Sequence, residues 1–242
     1  QLPVSDPRAP ELTEEKAFNL SAGFVADLTE GLNVTVDFFM IDVDDRITLS
    51  ESMGTDDGGA ITFFTNAVDT RTKGVDVIAT YTHDLGDSQL DLMAAYNYSK
   101  TDVLAIHPIA GLNASDVIGV EERNTLETAA PRNKVILSAI WHNDSISLMT
   151  RATRFGETTR VFDFGGGFEP EQTYGAKWSI DLEVEYTLNE AISMAVGANN
   201  ILDTYPDQSD ELLNYFGNLP YDVLSPIGSN GRYLYARAKY SF

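Results

Sequence analysis

The sequence has no cysteine and little positive charge: 16 Lys and Arg stand against 37 Asp and Glu in 242 residues, a net charge of −21. The missing thiols exclude a disulfide framework, thiolate catalysis and zinc–sulfur sites. The shortage of basic side chains argues against nucleic acid as a partner, because that binding needs basic patches to displace counterions. No apolar run reaches the roughly 18–20 residues of a membrane-crossing helix, so helical spanning is excluded. No cleavable leader is legible in residues 1–16, which are polar and carry Pro3, Pro7 and Pro10. What remains is 43% apolar and holds 12 Phe and 11 Tyr, too rich for a disordered chain.

The apolar residues are arranged with a period of two. Leu32, Val34, Val36, Phe38 and Met40 alternate with Asn33, Thr35 and Asp37. Trp178, Ile180, Leu182, Val184 and Tyr186 alternate with Ser179, Asp181, Glu183 and Glu185. Such alternation marks strands with one apolar and one polar face. It predicts about nine strands, near 17–28, 32–43, 72–84, 89–101, 133–142, 146–155, 176–187, 191–201 and 232–242. Short turns follow the first, third, fifth and seventh, and long connections follow the others. Aromatics gather near the strand ends, with Phe24, Tyr81, Trp141, Tyr186 and Tyr240 near the short turns and Phe38, Tyr96 and Tyr98 near the far end. Short turns on one side, long loops on the other and two aromatic belts are the pattern of a membrane β-barrel. The expected fold is therefore all-β: an antiparallel up-and-down transmembrane β-barrel segment. Leu32, Val34, Val36, Phe38, Leu90, Leu92, Tyr96, Leu182, Val184 and Tyr240 are expected to face lipid. Asp37, Asp91, Asp181, Glu183 and Arg237 are expected to face the lumen.

Several motifs narrow this further. Gly197-Ala198-Asn199-Asn200-Ile201-Leu202-Asp203 resembles the penultimate-strand motif of TonB-dependent outer-membrane receptors. Thr72-Lys73-Gly74-Val75-Asp76 resembles a strand start of that family, and residues 151–157 resemble its aromatic-Gly-Glu strand end. Residues 225–237 resemble the approach to its terminal strand, and residues 42–47 the run before an outer loop. The final strand, ending on the aromatic Phe242, resembles the carboxy-terminal signal read by the barrel-assembly machinery. The resemblance implies a barrel of about 22 strands filled by an amino-terminal plug. Residues 1–242 would then be one domain, the carboxy-terminal part of that barrel, with the plug absent from this sequence. It further implies a bacterial outer-membrane location with the carboxy terminus periplasmic, and contact with TonB through the absent plug. TonB-energised uptake of a scarce ligand follows, an iron chelate first, with carbohydrate, cobalamin or metal as alternatives. A small structural or adhesive barrel without a transport role is the rival reading.

Candidate chemistry is sparse, and no enzyme activity is expected. His83 and His142 flank short turns, whereas His107 sits beside Pro108 in a long loop where it can touch a ligand. Asp42, Asp44 and Asp45 lack the glycine and distal glutamate of a calcium loop, and a solvated acidic rim is the expected role. Asp56-Asp57-Gly58-Gly59 reads as a turn. Residues 162–168 are glycine-rich but lack the Lys and Ser/Thr of a phosphate loop. No Gly-x-Ser-x-Gly occurs. Asp181, Glu183 and Glu185, with Arg151 on the neighbouring strand, read as a lumenal polar wall with cross-strand pairing. No cofactor and no metal site is expected. If the segment touches ligand, the contacts come from outer-loop aromatics: Phe162, Phe164, Phe168, Tyr215, Phe216 and Tyr221. The loops are acidic, with six acids against one base in residues 42–60 and five against one in 203–232. Such loops can meet outer-membrane lipid and lipopolysaccharide through bridging divalent cations.

Overall fold

The computed structural model describes residues 9–54, 59–109, 111–165, 167–214 and 216–241. In chain order the first strands are β1 (Lys16–Thr29), β2 (Leu32–Leu49), the two-residue β3 (Met53–Gly54) and β4 (Ala60–Ile61), β5 (Phe64–Asp84) and β6 (Gln89–Ile106). Two short helices follow, α1 (Ala114–Val117) and α2 (Val120–Glu127). Then come β7 (Asn133–His142), β8 (Ile146–Phe155), the short β9 (Thr158–Val161) and β10 (Glu171–Tyr174), β11 (Lys177–Asn189), β12 (Ile192–Asn199) and β13 (Tyr233–Tyr240). Nine of these form one antiparallel sheet in the order β1-β2-β5-β6-β7-β8-β11-β12-β13. Each long strand pairs with its long neighbours in sequence, which is up-and-down topology. The sheet is open, with β1 and β13 at its edges, as in a segment of a larger barrel.

Polar side chains close the short turns. Asp84 accepts the Gly86 N–H at 2.7 Å, and Asn143 accepts those of Ser145 and Ile146 at 2.9 and 2.8 Å. Asn189 accepts those of Ala191 and Ile192, both at 3.0 Å. These local bonds hold the backbone where the ladder ends and so fix hairpin register.

Register carries one apolar face across the whole sheet. Val36 lies opposite Val77, Val77 opposite Tyr96 and Tyr96 opposite Val135. Further along, Leu148 faces Val184, Val184 faces Val196 and Val196 faces Ala236. Residues directly opposite in an antiparallel pair share a face. The expected lipid-facing set from Leu32 to Tyr240 therefore falls on one side. Asp37, Asp91, Asp181, Glu183 and Arg237 fall on the other. The polar side is knit across strands: Asn97 Nδ2 donates to Asp76 at 2.7 Å, and Arg237 donates to Glu183 at 3.0 Å and Glu185 at 2.9 Å.

Strands 133–142 and 146–155 lie at the bounds expected from the sequence. Three others run further at the long-loop end, where β2 reaches Leu49, β6 reaches Ile106 and β5 begins at Phe64. The cause is a second layer. Ala67 and Val68, adjacent in β5, are both buried, so both faces of the extension are covered and the period-two pattern disappears. Val117 and Ile118 pack there, with Val103, Ile106, Ile109, Leu112 and Leu126 around them. The helices and the paired β9 and β10 make this end a folded layer rather than the plain loops expected from sequence.

Candidate functional site

Three long connections interlock around one buried ion pair. Arg160 on β9 donates through Nε to Asp222 Oδ2 at 3.0 Å, and the two side chains are only 7% and 5% exposed. The same guanidinium donates to Thr125 Oγ1 of α2 at 3.2 Å and lies 5.0 Å over the Phe162 ring. Asn124 completes the junction. Its side chain accepts the Val161 N–H at 3.0 Å and donates to the Thr159 carbonyl at 2.7 Å. The loop holding α2, the β9–β10 hairpin and the connection after β12 are therefore tied to one another.

The sequence-predicted contact residues separate into two groups within this layer. Phe162 is buried beneath Arg160, and Tyr221 stacks on Tyr205 with ring centroids 6.0 Å apart. Both hold the layer together. Phe164 and Phe168 stack at 6.0 Å but stay half exposed at the hairpin tip. Gly165 (φ 82°) and Gly167 (φ 79°) make the tight reversal between them. Phe216 is fully exposed. Tyr215, Phe242 and Asp56-Asp57-Gly58 lie outside the described residues. A groove opens instead on the apolar face. Ala79, Ala94 and Ala139 there leave a dip between Tyr81, Leu92 and Leu137, and an alanine-floored, mostly apolar hollow offers a polar ligand little to bond.

The sequence matches the family described as TonB dependent receptor-like, beta-barrel, over residues 3–201. The chain belongs to that family. Among solved structures it is similar to the siderophore receptor PirA from Acinetobacter baumannii, at TM-score 0.64 and 18% identity, covering 96% of this chain and 32% of that one. It is similar to the outer membrane transporter YddB from Escherichia coli, at TM-score 0.63 and 10% identity, covering 81% and 30%. It is also similar to the pyoverdine receptor FpvA from Pseudomonas aeruginosa PAO1, at TM-score 0.61 and 13% identity, covering 94% and 30%. The chain thus spans about a third of the length of these receptors. A search of curated proteins finds no match.

In this TonB-dependent receptor barrel the motif residues act as fasteners. Asn200 (φ 51°) directly follows β12. Its side chain accepts the Thr204 N–H at 2.9 Å and donates to the Thr204 carbonyl at 2.7 Å, while its own N–H donates to Asp181 at 2.9 Å. Asp203 (φ 59°) then accepts the Arg232 N–H at 2.8 Å, closing the base of the last outer connection. Gly74 leaves room for the Phe39 ring, which occupies the place where a Cβ would stand. The family motifs therefore explain the frame and are silent on cargo.

The charged candidates are already committed. His142 Nε2 lies 3.3 Å from Asp91, and His83 stacks on Tyr81. Asp42 grips Arg71 through two bonds of 2.6 Å. His107 meets Asp45 and Asp69, a carboxylate that sequence reasoning passed over for want of any local pattern. The Lys177 ammonium holds the Asp207 carboxyl below its usual range. Glu51, lying against the bare Cα of Gly119, behaves oppositely: burial, reinforced by the Asp163 carboxylate, pushes its carboxyl up. Burial does the same to Glu122. A carboxyl raised on folding favours the folded layer below its unfolded pKa, and that contribution is lost as pH rises through the folded value. Glu51→Gln is therefore expected to slow hydrogen exchange in α1 and α2 at pH 7 and to match wild type near about pH 4. A variant that exchanges faster at pH 7 would refute this.

Proposed function

We propose that the chain is the carboxy-terminal wall of an outer-membrane receptor that imports a scarce ligand with energy passed on by TonB. Family membership combined with the interlocked outer layer supports this reading most directly. A wall alone needs only loops long enough to connect strands, whereas this layer holds aromatic side chains outward on a packed, hydrogen-bonded base. The open nine-stranded sheet disfavours a small structural or adhesive barrel, which must close on itself. An iron chelate is the first choice of cargo, with carbohydrate, cobalamin or metal as alternatives. Among similar structures, FpvA is a pyoverdine receptor, PirA a siderophore receptor and OprC a copper transporter.

In this reading the short turns and the carboxy terminus are periplasmic. The carboxy-terminal segment, with Phe242 last in the sequence, is recognised by the assembly machinery, and TonB contacts a plug encoded elsewhere in the receptor. The apolar face meets outer-membrane lipid, and the acidic outer layer meets lipopolysaccharide through divalent cations. Ligand contacts fall to Phe164, Phe168, Phe216 and Tyr215, with Phe162 and Tyr221 supporting them.

Because the connections interlock, substitutions test recognition more cleanly than deletions. Phe164→Ala with Phe168→Ala, and separately Phe216→Ala, are expected to lower growth of a receptor-deleted strain complemented with the complete receptor, with candidate iron chelates as sole iron source. A loss of about 1–3 kcal/mol per aromatic contact corresponds to roughly fivefold to 150-fold weaker binding. Unchanged growth on every nutrient the wild-type receptor supports would show that these aromatics do not touch cargo.

A further inference from the structure

At the root of the outer layer, three strands bring an imidazole and two carboxylates together. Asp45 lies at the β2 bulge with φ 55°, Asp69 sits beside a register shift in β5, and His107 directly follows β6. His107 Nδ1 is 3.3 Å from Asp45 Oδ1, and its Nε2 is 2.9 Å from Asp69 Oδ1. One donor atom from each residue lies within 4.8 Å of the others. Backbone bonds hold all three in place. The Asp45 N–H donates to Asp69 Oδ1 at 3.0 Å, Asn66 Nδ2 donates to the Asp45 carbonyl at 2.6 Å, and the His107 N–H donates to the Ala67 carbonyl at 2.7 Å.

A neutral imidazole has one N–H and one lone pair. Either neutral tautomer therefore leaves one ring lone pair facing a carboxylate oxygen, Nε2 to Asp69 at 2.9 Å or Nδ1 to Asp45 at 3.3 Å, and a cation on Nε2 selects the form with its proton on Nδ1. Two lone pairs so close repel unless a cation or a second ring proton lies between them. A nitrogen and an oxygen each bound about 2.0–2.2 Å from one metal ion stand about 3 Å apart at the right angle of octahedral coordination, and about 3.3–3.6 Å apart in a tetrahedral shell. A carboxylate on the far nitrogen is also the usual support of a metal-ligating histidine, since it fixes tautomer and ring orientation.

We propose that His107 Nε2 and the Asp69 carboxylate bind a divalent transition cation of the zinc type, with Asp45 as the positioning residue and water completing the shell. The nitrogen-plus-carboxylate donor set suits zinc and its first-row neighbours better than calcium or magnesium, which take oxygen. The surroundings favour a cation, because Asp44 adds a further negative charge to the same bulge. Bound there, the ion clips β2, β5 and β6 together where two outer connections begin. This site is independent of the cargo and of the transport reading.

The test uses the complete receptor, purified in detergent without a polyhistidine tag and stripped with chelator, titrated with Zn²⁺ at pH 7.5 by calorimetry. Wild type is expected to show a saturable site that His107→Gln and Asp69→Asn each weaken at least tenfold. Asp45→Asn is expected to weaken it by about 10- to 100-fold, the usual cost of losing an orienting carboxylate. His142→Gln, which removes the other carboxylate-paired imidazole, is expected to bind as wild type does. In parallel, Zn²⁺ is expected to protect His107 of the wild-type receptor from diethylpyrocarbonate, read by peptide mass spectrometry, a measurement that needs no variant to fold. Identical Zn²⁺ isotherms for wild type, His107→Gln and Asp69→Asn would overturn the proposal. Unchanged His107 labelling in Zn²⁺ would overturn it too, leaving an imidazolium bridging two carboxylates.

Discussion

Arg160→Ala is expected to loosen the outer layer by about 3–5 kcal/mol, the usual cost of stripping one partner from a buried ion pair. The cost arises because Asp222 is left charged and 5% exposed without its counter-ion, while Thr125 and the Phe162 face lose the same guanidinium. Hydrogen exchange should resolve the effect by region. Amides of α2 and of the β9–β10 hairpin should lose roughly hundredfold or more of their protection, at about 1.4 kcal/mol per decade. Amides in the middle of β5, β6 and β11 should keep theirs, because the ladder does not depend on the pair. Replacing both partners by apolar residues of similar volume, Arg160→Met with Asp222→Leu, should recover much of the loss. If Arg160→Ala leaves hairpin exchange unchanged, the three connections are not held by this pair.

Val184→Arg is expected to destabilise the assembled barrel by about 2–4 kcal/mol, the cost of a cation on the lipid side near mid-membrane. Val184 is 43% exposed in the middle of β11, flanked across the ladder by Leu148 and Val196. The companion change is Met149→Arg, which places the same side chain on the opposite face beside Glu183. That variant should stay within about 0.5 kcal/mol of wild type, as surface changes usually do. Urea titration of the receptor refolded into lipid vesicles would measure both. Equal losses would mean that the two faces do not separate lipid from lumen.

The membrane wall could be read from sequence because its two faces meet different surroundings. In β11 every second residue from Trp178 to Tyr186 is apolar and the intervening ones are polar, so both period and phase are written in the chain. The outer layer obscured itself for the opposite reason. Where Ala67 and Val68 are both buried, no alternation survives, and β5 was expected to start eight residues too late. The helices left a fainter trace: Asn113 and Asp116 form a capping box, a start signal that local inspection could have found. Arg160 and Asp222 left none, since they meet across 62 residues of sequence and nothing local marks either as a partner. His107 and Asp45 were both noticed, yet only the fold shows that a bulge turns Asp45 toward the imidazole and that Asp69 completes the set. The aromatic candidates divided on the same principle. Phe162 and Phe164 look alike in sequence, and only packing makes one a foundation and the other an outward-facing side chain.

The shared guanidinium of Arg160 also limits how this receptor can be re-engineered. A donor's hairpin transplanted alone would bring no matched partner for Asp222 and no acceptor pattern for Asn124. The last connection, moved singly, would strand Arg160 without Asp222, and the helical one would strip Thr125 and Asn124 from the hairpin. The three connections are therefore a single cassette: chimeras that exchange all of them together should insert and fold, and those that exchange one should be degraded by surface proteases.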